Sequence, residues 1–280
     1  MNAKRIKEIE LQAARIRKAG LEAIQAADSG HVGGSFSVAD ILTVLYFEKM
    51  NIDPADPGKP DRDRFVLSKG HCTPTFYAAL AYRGYFPLED LKTFRHIDSY
   101  LSGHAEMTKV PGVDMSTGSL GQGLSAAVGM ALMGKQDRKG YTVYAAVGDG
   151  EIEEGQIWEA AMAAGYYKLD NLLVFVDNNN LQLDGTLEEV MSPYPIDEKF
   201  RAFGWRTVTI DGHDVEAISR AVDEAKQYEG APTVVIAKTV KGRGVSFMEN
   251  GVEWHGRTPS EEEYRQAYAE LSAAIEGLEG

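Results

Sequence analysis

The chain has 280 residues, 44% hydrophobic and 25% charged, a balance that permits a large buried core and excludes a disordered or fibrous protein. A formal net charge of −13 with scattered basic residues excludes unspecific nucleic-acid binding and an anionic membrane surface, since both reward a basic face. A single cysteine, Cys72, excludes an internal disulfide framework. With no apolar amino-terminal stretch and no run fit to span a bilayer, the expected location is the cytoplasm.

In chain order, Ile6, Ile9, Ala13, Ile16, Ala23, Ile24 and Ala27 fall near helical spacing, so the pattern predicts a helix over 4–28 that runs into the loop Ser29 to Gly34. Ser37 and Asp40 resemble a capping pair in front of a second helix that begins near Ile41. After a proline-rich stretch, Phe65 to Leu67 reads as a short buried strand. Tyr141 to Val147 and Leu172 to Val176 read as apolar strands separated by a helix over 154–168, and Trp205 to Ile210 and Thr233 to Val240 as strands around a helix over 214–228. A last helix begins near Pro259. Strands alternating with helices predict an α/β fold with a mainly parallel sheet covered on both faces, and residues 1–280 read as one domain. In such a sheet ligands bind beyond the carboxyl ends of the strands, where the polar motifs fall.

Two of those motifs carry the chemistry. Gly148-Asp149-Gly150 ends one strand, and about thirty residues later Asn178-Asn179-Asn180 ends the next. Asp149, an asparagine side chain and a backbone carbonyl are hard oxygen donors that suit Mg²⁺ or Ca²⁺ beside a diphosphate, and Gly148 and Gly150 are expected to let the chain turn sharply and bring backbone N–H groups to phosphate oxygens. Either motif alone is an ordinary turn; the pairing is what signals a site. A dinucleotide-binding reading fails because its third glycine would fall at Glu153, and Gly118 to Gly123 has the right glycine spacing but no strand in front of it.

The pair resembles the fingerprint of thiamine diphosphate enzymes. On that resemblance Asp149 and Asn179 are side-chain metal ligands and Leu181 gives a carbonyl, with Asn178 replacing Asn179 if the register slips by one. Four further segments are similar to transketolases: Ser29 to Gly34, Leu67-Ser68-Lys69-Gly70-His71, Ser102-Gly103-His104, and Thr117 to Gly123. The resemblance runs nearly the whole chain, to Trp254-His255-Gly256. It implies thiamine diphosphate and Mg²⁺, or Ca²⁺, as cofactors. Gly118 and Leu120 would hold the aminopyrimidine, His71 and His255 would lie near the diphosphate, and His31, His104 and His255 would face substrate hydroxyls. Ketol transfer moves protons on and off alkoxide oxygens, which calls for neutral imidazoles near pH 7.

His96 and His213 are expected to be structural or merely exposed, Cys72 a packing residue, and Glu151 and Glu153 helix-capping or solvated acids. Glu154 matches an acid at the family's subunit interface. The pyrimidine-binding half of a full transketolase, with the glutamate that activates the cofactor, has no counterpart here. The resemblance is therefore to the amino-terminal subunit of a split enzyme of carbohydrate metabolism, acting on sugar phosphates such as those of the pentose phosphate series. Its implied partner is a carboxy-terminal subunit carrying the pyrimidine-binding half, the two chains forming an α2β2 heterotetramer, without nucleic acid or membrane. The alternatives are the alpha subunit of a 2-oxoacid dehydrogenase and, from another class, a non-catalytic regulatory homologue.

Overall fold

A computed structural model describes residues 1–280. Its elements are α1 (Ala3–Ala27), α2 (Val32–Val44), β1 (Arg64–Leu67), α3 (Thr73–Arg83), α4 (Gln122–Gln136), β2 (Val143–Gly148), α5 (Gly155–Tyr166), β3 (Leu172–Asn178), α6 (Leu187–Val190), α7 (Ile196–Ala202), β4 (Arg206–Asp211), α8 (Val215–Lys226), β5 (Thr233–Lys238) and α9 (Glu261–Glu279). The five strands form one parallel sheet in the order β1-β2-β3-β5-β4. No helix is long and apolar enough to cross a membrane.

Side chains of the central strands alternate between two cores, as the period of two requires. Phe65, Leu67, Tyr144, Ala146, Leu173 and Phe175 pack with α1, α2, α3 and α8, whereas Val66, Val143, Ala145, Val147, Val174 and Val176 pack with α4, α5 and α7. Each fully buried Val, Leu, Ile or Phe contributes roughly 1.5–3 kcal/mol, so these two layers dominate the stability. A third, smaller cluster fastens α9 and the segment 245–254 onto α1 and α2 through Leu21, Phe36, Trp254 and Leu271.

Caps fix several ends. Asn2 accepts from the Arg5 amide at the start of α1, Asp214 accepts from Glu216 and Ala217 at the start of α8, and Ser260 with Glu263 forms a capping box on α9. The expected cap at Ser37 and Asp40 is absent. Both lie inside α2, which starts at Val32, and each points to a buried partner: Ser37 donates to Asp177 at 2.6 Å and Asp40 pairs with Arg17. Gly33 and Gly34 thus belong to a helix, where an added Cβ would strike the Lys241 side chain or Cys72 Sγ. Sheet register ends at Lys238 because Thr239 and Val240 turn away to bond Asp177 and His213.

The outer edge of β1 is closed by side chains. Asp114 accepts from the Phe65 amide at 2.8 Å and Thr117 Oγ1 donates to the Leu67 carbonyl at 2.7 Å.

Among the glycines the tightest approach is at Gly165 of α5, where an added Cβ would overlap the Phe203 carbonyl oxygen. Gly165→Ala is therefore expected to destabilise the chain by about 1–3 kcal/mol through overpacking. Thermal unfolding should show a melting temperature several degrees lower, and an unchanged value would refute the tight approach.

Candidate active site

The carboxyl ends of β1, β2, β3 and β5 converge on a cleft of about 300 Å³. Gly148, Asp149, Gly150, Asn179, Leu181, His71, His255, Leu120, Glu154 and Lys241 all line it. Asp149 is buried and accepts from Asn178 Nδ2 at 3.0 Å, the Asn180 amide at 2.6 Å and the Gly150 amide at 2.9 Å. Burial still pushes its carboxyl up to about 6, against those donors.

The two candidate asparagines have different partners. Asn178 gives its amide to Asp149, while its carbonyl oxygen accepts from Lys238 at 2.5 Å and Tyr194 at 2.9 Å. Asn179 is the asparagine in the cleft, and its Oδ1 accepts from the Leu181 amide at 3.1 Å. The Leu181 carbonyl already receives the Lys241 ammonium at 3.2 Å. No group of three or more His, Cys, Asp or Glu side chains is arranged to hold a metal ion. A cation here would be held by one carboxylate with amide and carbonyl oxygens, the hard-donor set of Mg²⁺ or Ca²⁺. The amides of Gly148 and Gly150 do not face a ligand: they donate to Glu151 and Asp149. The glycines serve the turn.

Four histidines from separate segments cluster beside the cleft, which His71 and His255 line directly. His31 lies 5.0 Å from His71, 5.6 Å from His255 and 6.4 Å from His104 between ring centroids, and His71 lies 5.3 Å from His255. Burial lowers all four, His31 to about 4 and His255 to about 3, with nearby positive charges adding to the effect. They are neutral near pH 7. His31 Nδ1 is buried with no protein partner, the mark of a group waiting for a ligand. Gly118, at φ 146°, passes so close to the His104 ring that a Cβ would lie 3.0 Å from it, and Leu120 stands 38% exposed at the rim.

Several site residues carry no motif signal strong enough to find them. Lys69 and Lys241 are both buried, yet differ: Asp177 outweighs burial and raises Lys69, whereas burial pulls Lys241 down to about 8. Lys241 Nζ also lies 3.0 Å from His255 Nδ1. Arg95, at φ 61°, has no carboxylate partner and packs over Gly103, with Nη1 donating to Ser29 at 2.7 Å. Glu151 is not a solvated cap. It is 3% exposed and accepts from Ser68 at 2.5 Å and from the Gly121 and Gly148 amides at 2.9 Å each, because three loops converge on it. Glu154 is exposed at the mouth. Cys72 is buried and its thiol pushed up to about 11 by that burial, as a packing residue should be. His96 is exposed and His213 structural, bonded to Asp40 and Val240.

Comparison with known proteins agrees with this geometry. The family described as transketolase, thiamine diphosphate binding domain, matches residues 9–274. The chain is 49% identical over 264 residues to the 6-deoxy-6-sulfo-D-fructose transketolase subunit SqwG of Clostridium sp. (strain MSTE9), covering 94% of this chain and 96% of the relative. It is 43% identical to one of the subunits of the apulose-4-phosphate transketolase of Phocaeicola vulgatus, covering 98% of this chain and 97% of that relative. Among solved structures, transketolase from Campylobacter jejuni superposes with a TM-score of 0.90 at 32% identity, over 99% of this chain and 46% of that one.

The buried histidines link the site to acid stability. A histidine held neutral in the fold binds its proton more readily when unfolded, so its contribution is present above the unfolded pKa of about 6.5 and is lost as pH falls below it. The raised Asp149 acts in the opposite sense. The double variant His31→Asn, His255→Asn isolates the histidine part: its urea midpoint should drop less than that of the parent between pH 7 and pH 5. Equal drops would show that the imidazoles are not held neutral.

Proposed function

The chain belongs to the transketolase family, and from that premise we propose that it is the diphosphate-binding subunit of a split transketolase, moving a two-carbon ketol unit from a ketose to an aldose once a second subunit is bound. The supporting observation is one cleft lined by the buried Asp149 carboxylate and by His71 and His255, with His31 and His104 packed beside those two rings. A 2-oxoacid dehydrogenase subunit has nothing further in its favour.

The residues present fit the cofactor. Asp149, Asn179 and the Leu181 carbonyl would hold Mg²⁺, or Ca²⁺ in its place, with Gly148 and Gly150 shaping the turn beside it. His71, His255 and Lys241 would meet the diphosphate, and Gly118 and Leu120 the aminopyrimidine. When bound, thiamine diphosphate supplies the electron sink for the reaction. The chain's own task is to hold and move protons: His31 and His255, half-buried, and His104, exposed, all neutral, can each donate to or accept from a substrate hydroxyl. The whole chain acts as one unit in this reading, in the cytoplasm.

In this reading a partner would supply the acid that activates the cofactor ring, since the acids Glu151, Glu153 and Glu154 all stand at the Gly148 turn, where the diphosphate would lie. Leu120, Leu183, Val190 and Met191 are exposed along the carboxyl edge of the sheet, an apolar rim suited to being covered by a pyrimidine-binding subunit. Two copies of each chain about a two-fold axis, with Glu154 at the contact, is the simplest assembly. The relatives' named sugars end in a sulfonate or a phosphate, so an anionic ketose, such as a sugar phosphate, is the proposed donor.

Two measurements test this reading. Asp149→Ala should weaken Mg²⁺-dependent thiamine diphosphate binding by at least about 10- to 100-fold, since even outer partners of metal sites cost that much; unchanged calorimetric affinity in the assembled enzyme would refute the assignment. The isolated chain with Mg²⁺ and thiamine diphosphate should show no ketol transfer and gain it on adding the partner. Robust turnover in a preparation that mass spectrometry shows to be free of any second polypeptide would sink the split-subunit reading.

A further inference from the structure

Outside the cleft, Arg17 of α1, Asp40 of α2 and His213 after β4 form a buried array that the proposed chemistry does not use. The Arg17 and Asp40 side chains are each 8% exposed and that of His213 10%. Arg17 pairs with both oxygens of Asp40 and gives its Nε–H to the Phe36 carbonyl at 3.1 Å. His213 Nδ1 lies 2.6 Å from Asp40 Oδ2, and its Nε2 lies 2.8 Å from the Val240 amide nitrogen. A backbone N–H can only donate, so Nε2 must carry the lone pair and Nδ1 the proton given to Asp40. The hydrogen bonds fix both the tautomer and the tilt of the ring.

A core ion pair needs no third member, and the identity of that member is informative. Val240 has left the sheet, which ends at Lys238, so its amide would be orphaned in the interior without His213. The next residue is Lys241, whose ammonium enters the cleft against the Leu181 and Gln182 carbonyls and His255. Around it the backbone is held by the Asn250 amide on the Lys241 carbonyl and by Gly242 on the Gly33 carbonyl. His213 supplies the anchor on the strand side.

We propose that His213 is a positioning residue for Lys241: by accepting from the Val240 amide it sets where the lysine ammonium stands in the cleft, while Asp40 and Arg17 hold the imidazole in the accepting tautomer. The inference rests on the reading that Lys241 meets the cofactor diphosphate.

Two substitutions separate the bonds of the ring. His213→Asn keeps a donor near Nδ1 for Asp40 and lacks an acceptor for Val240; His213→Gln places a carbonyl oxygen near the lost Nε2. Thiamine diphosphate titrations of the assembled enzyme with Mg²⁺ should show affinity roughly tenfold weaker in His213→Asn, as for one lost hydrogen bond, and largely restored in His213→Gln. In a Lys241→Met background, His213→Asn should cost nothing more, because its effect travels through that lysine. Hydrogen exchange over 239–242 in the cofactor-free enzyme should be fast in the Asn variant and slow in the parent and the Gln variant. Losses that multiply in the double variant, or an Asn variant with parental affinity, would overturn the inference and leave His213 a core residue. Parental affinity in Lys241→Met alone would instead remove the lysine from the diphosphate, and the inference with it, even if the exchange pattern held.

Discussion

The buried carboxylate of Asp177 is the constraint on which the site depends. It is 0% exposed at the carboxyl end of the central strand β3, and it accepts from Lys69 after β1, Ser37 in α2 and Thr239 after β5. Three segments distant in sequence are thereby brought to one point. A buried charge pair is a weak source of net stability, because desolvating the two ions offsets most of their attraction, yet losing one partner strands the other at a cost of roughly 3–5 kcal/mol. Its value lies in admitting one arrangement of the loops. Lys69 carries the hold outward by donating to the Gly34 carbonyl at 3.0 Å, which ties the first turn of α2 to the floor of the cleft.

Glu151 does the same on the other side, joining Ser68, Gly121 and the turn at Gly148. Between these two acids the cleft is walled by groups whose hydrogen bonds are already made. The buried atoms without a protein partner beside it are His31 Nδ1 and Arg95 Nε. Positive charges surround imidazoles that burial has already driven to the neutral form, so the site is poised for anions and for proton exchange together.

The strands were legible because β2, β3 and β5 are apolar runs that stop at polar motifs, and the pairing of Gly148-Asp149-Gly150 with Asn179 located the cleft from residues alone. What escaped has a common cause. The first turns of α2 and the whole of α3 are buried nearly all round, so they lack the polar stripe that marks a surface helix, and α4 is rich in glycine and alanine. Ser37, Asp40 and Glu151 were misread locally for the same reason: each has the chemistry of a cap, and each is claimed by a partner far along the chain, Asp177, Arg17 and Ser68 respectively. The roles of Lys69 and Lys241, alike in type and burial, diverge only because a carboxylate reaches one of them.

The closed margin of β1 bears on how such a chain can associate. A sheet ordinarily invites growth at its flank, where unpaired amides and carbonyls can template another strand. Here Asp114 and Thr117 occupy that flank, and the opposite margin, β4, is studded with Arg206, Thr207, Thr209 and Asp211. Sideways addition of a foreign strand is discouraged at both ends. Recognition is thereby channelled to the loops and helix faces around the cleft, so a companion chain that docks there meets the reactive groups at the same moment, and complex formation and completion of the catalyst become a single event.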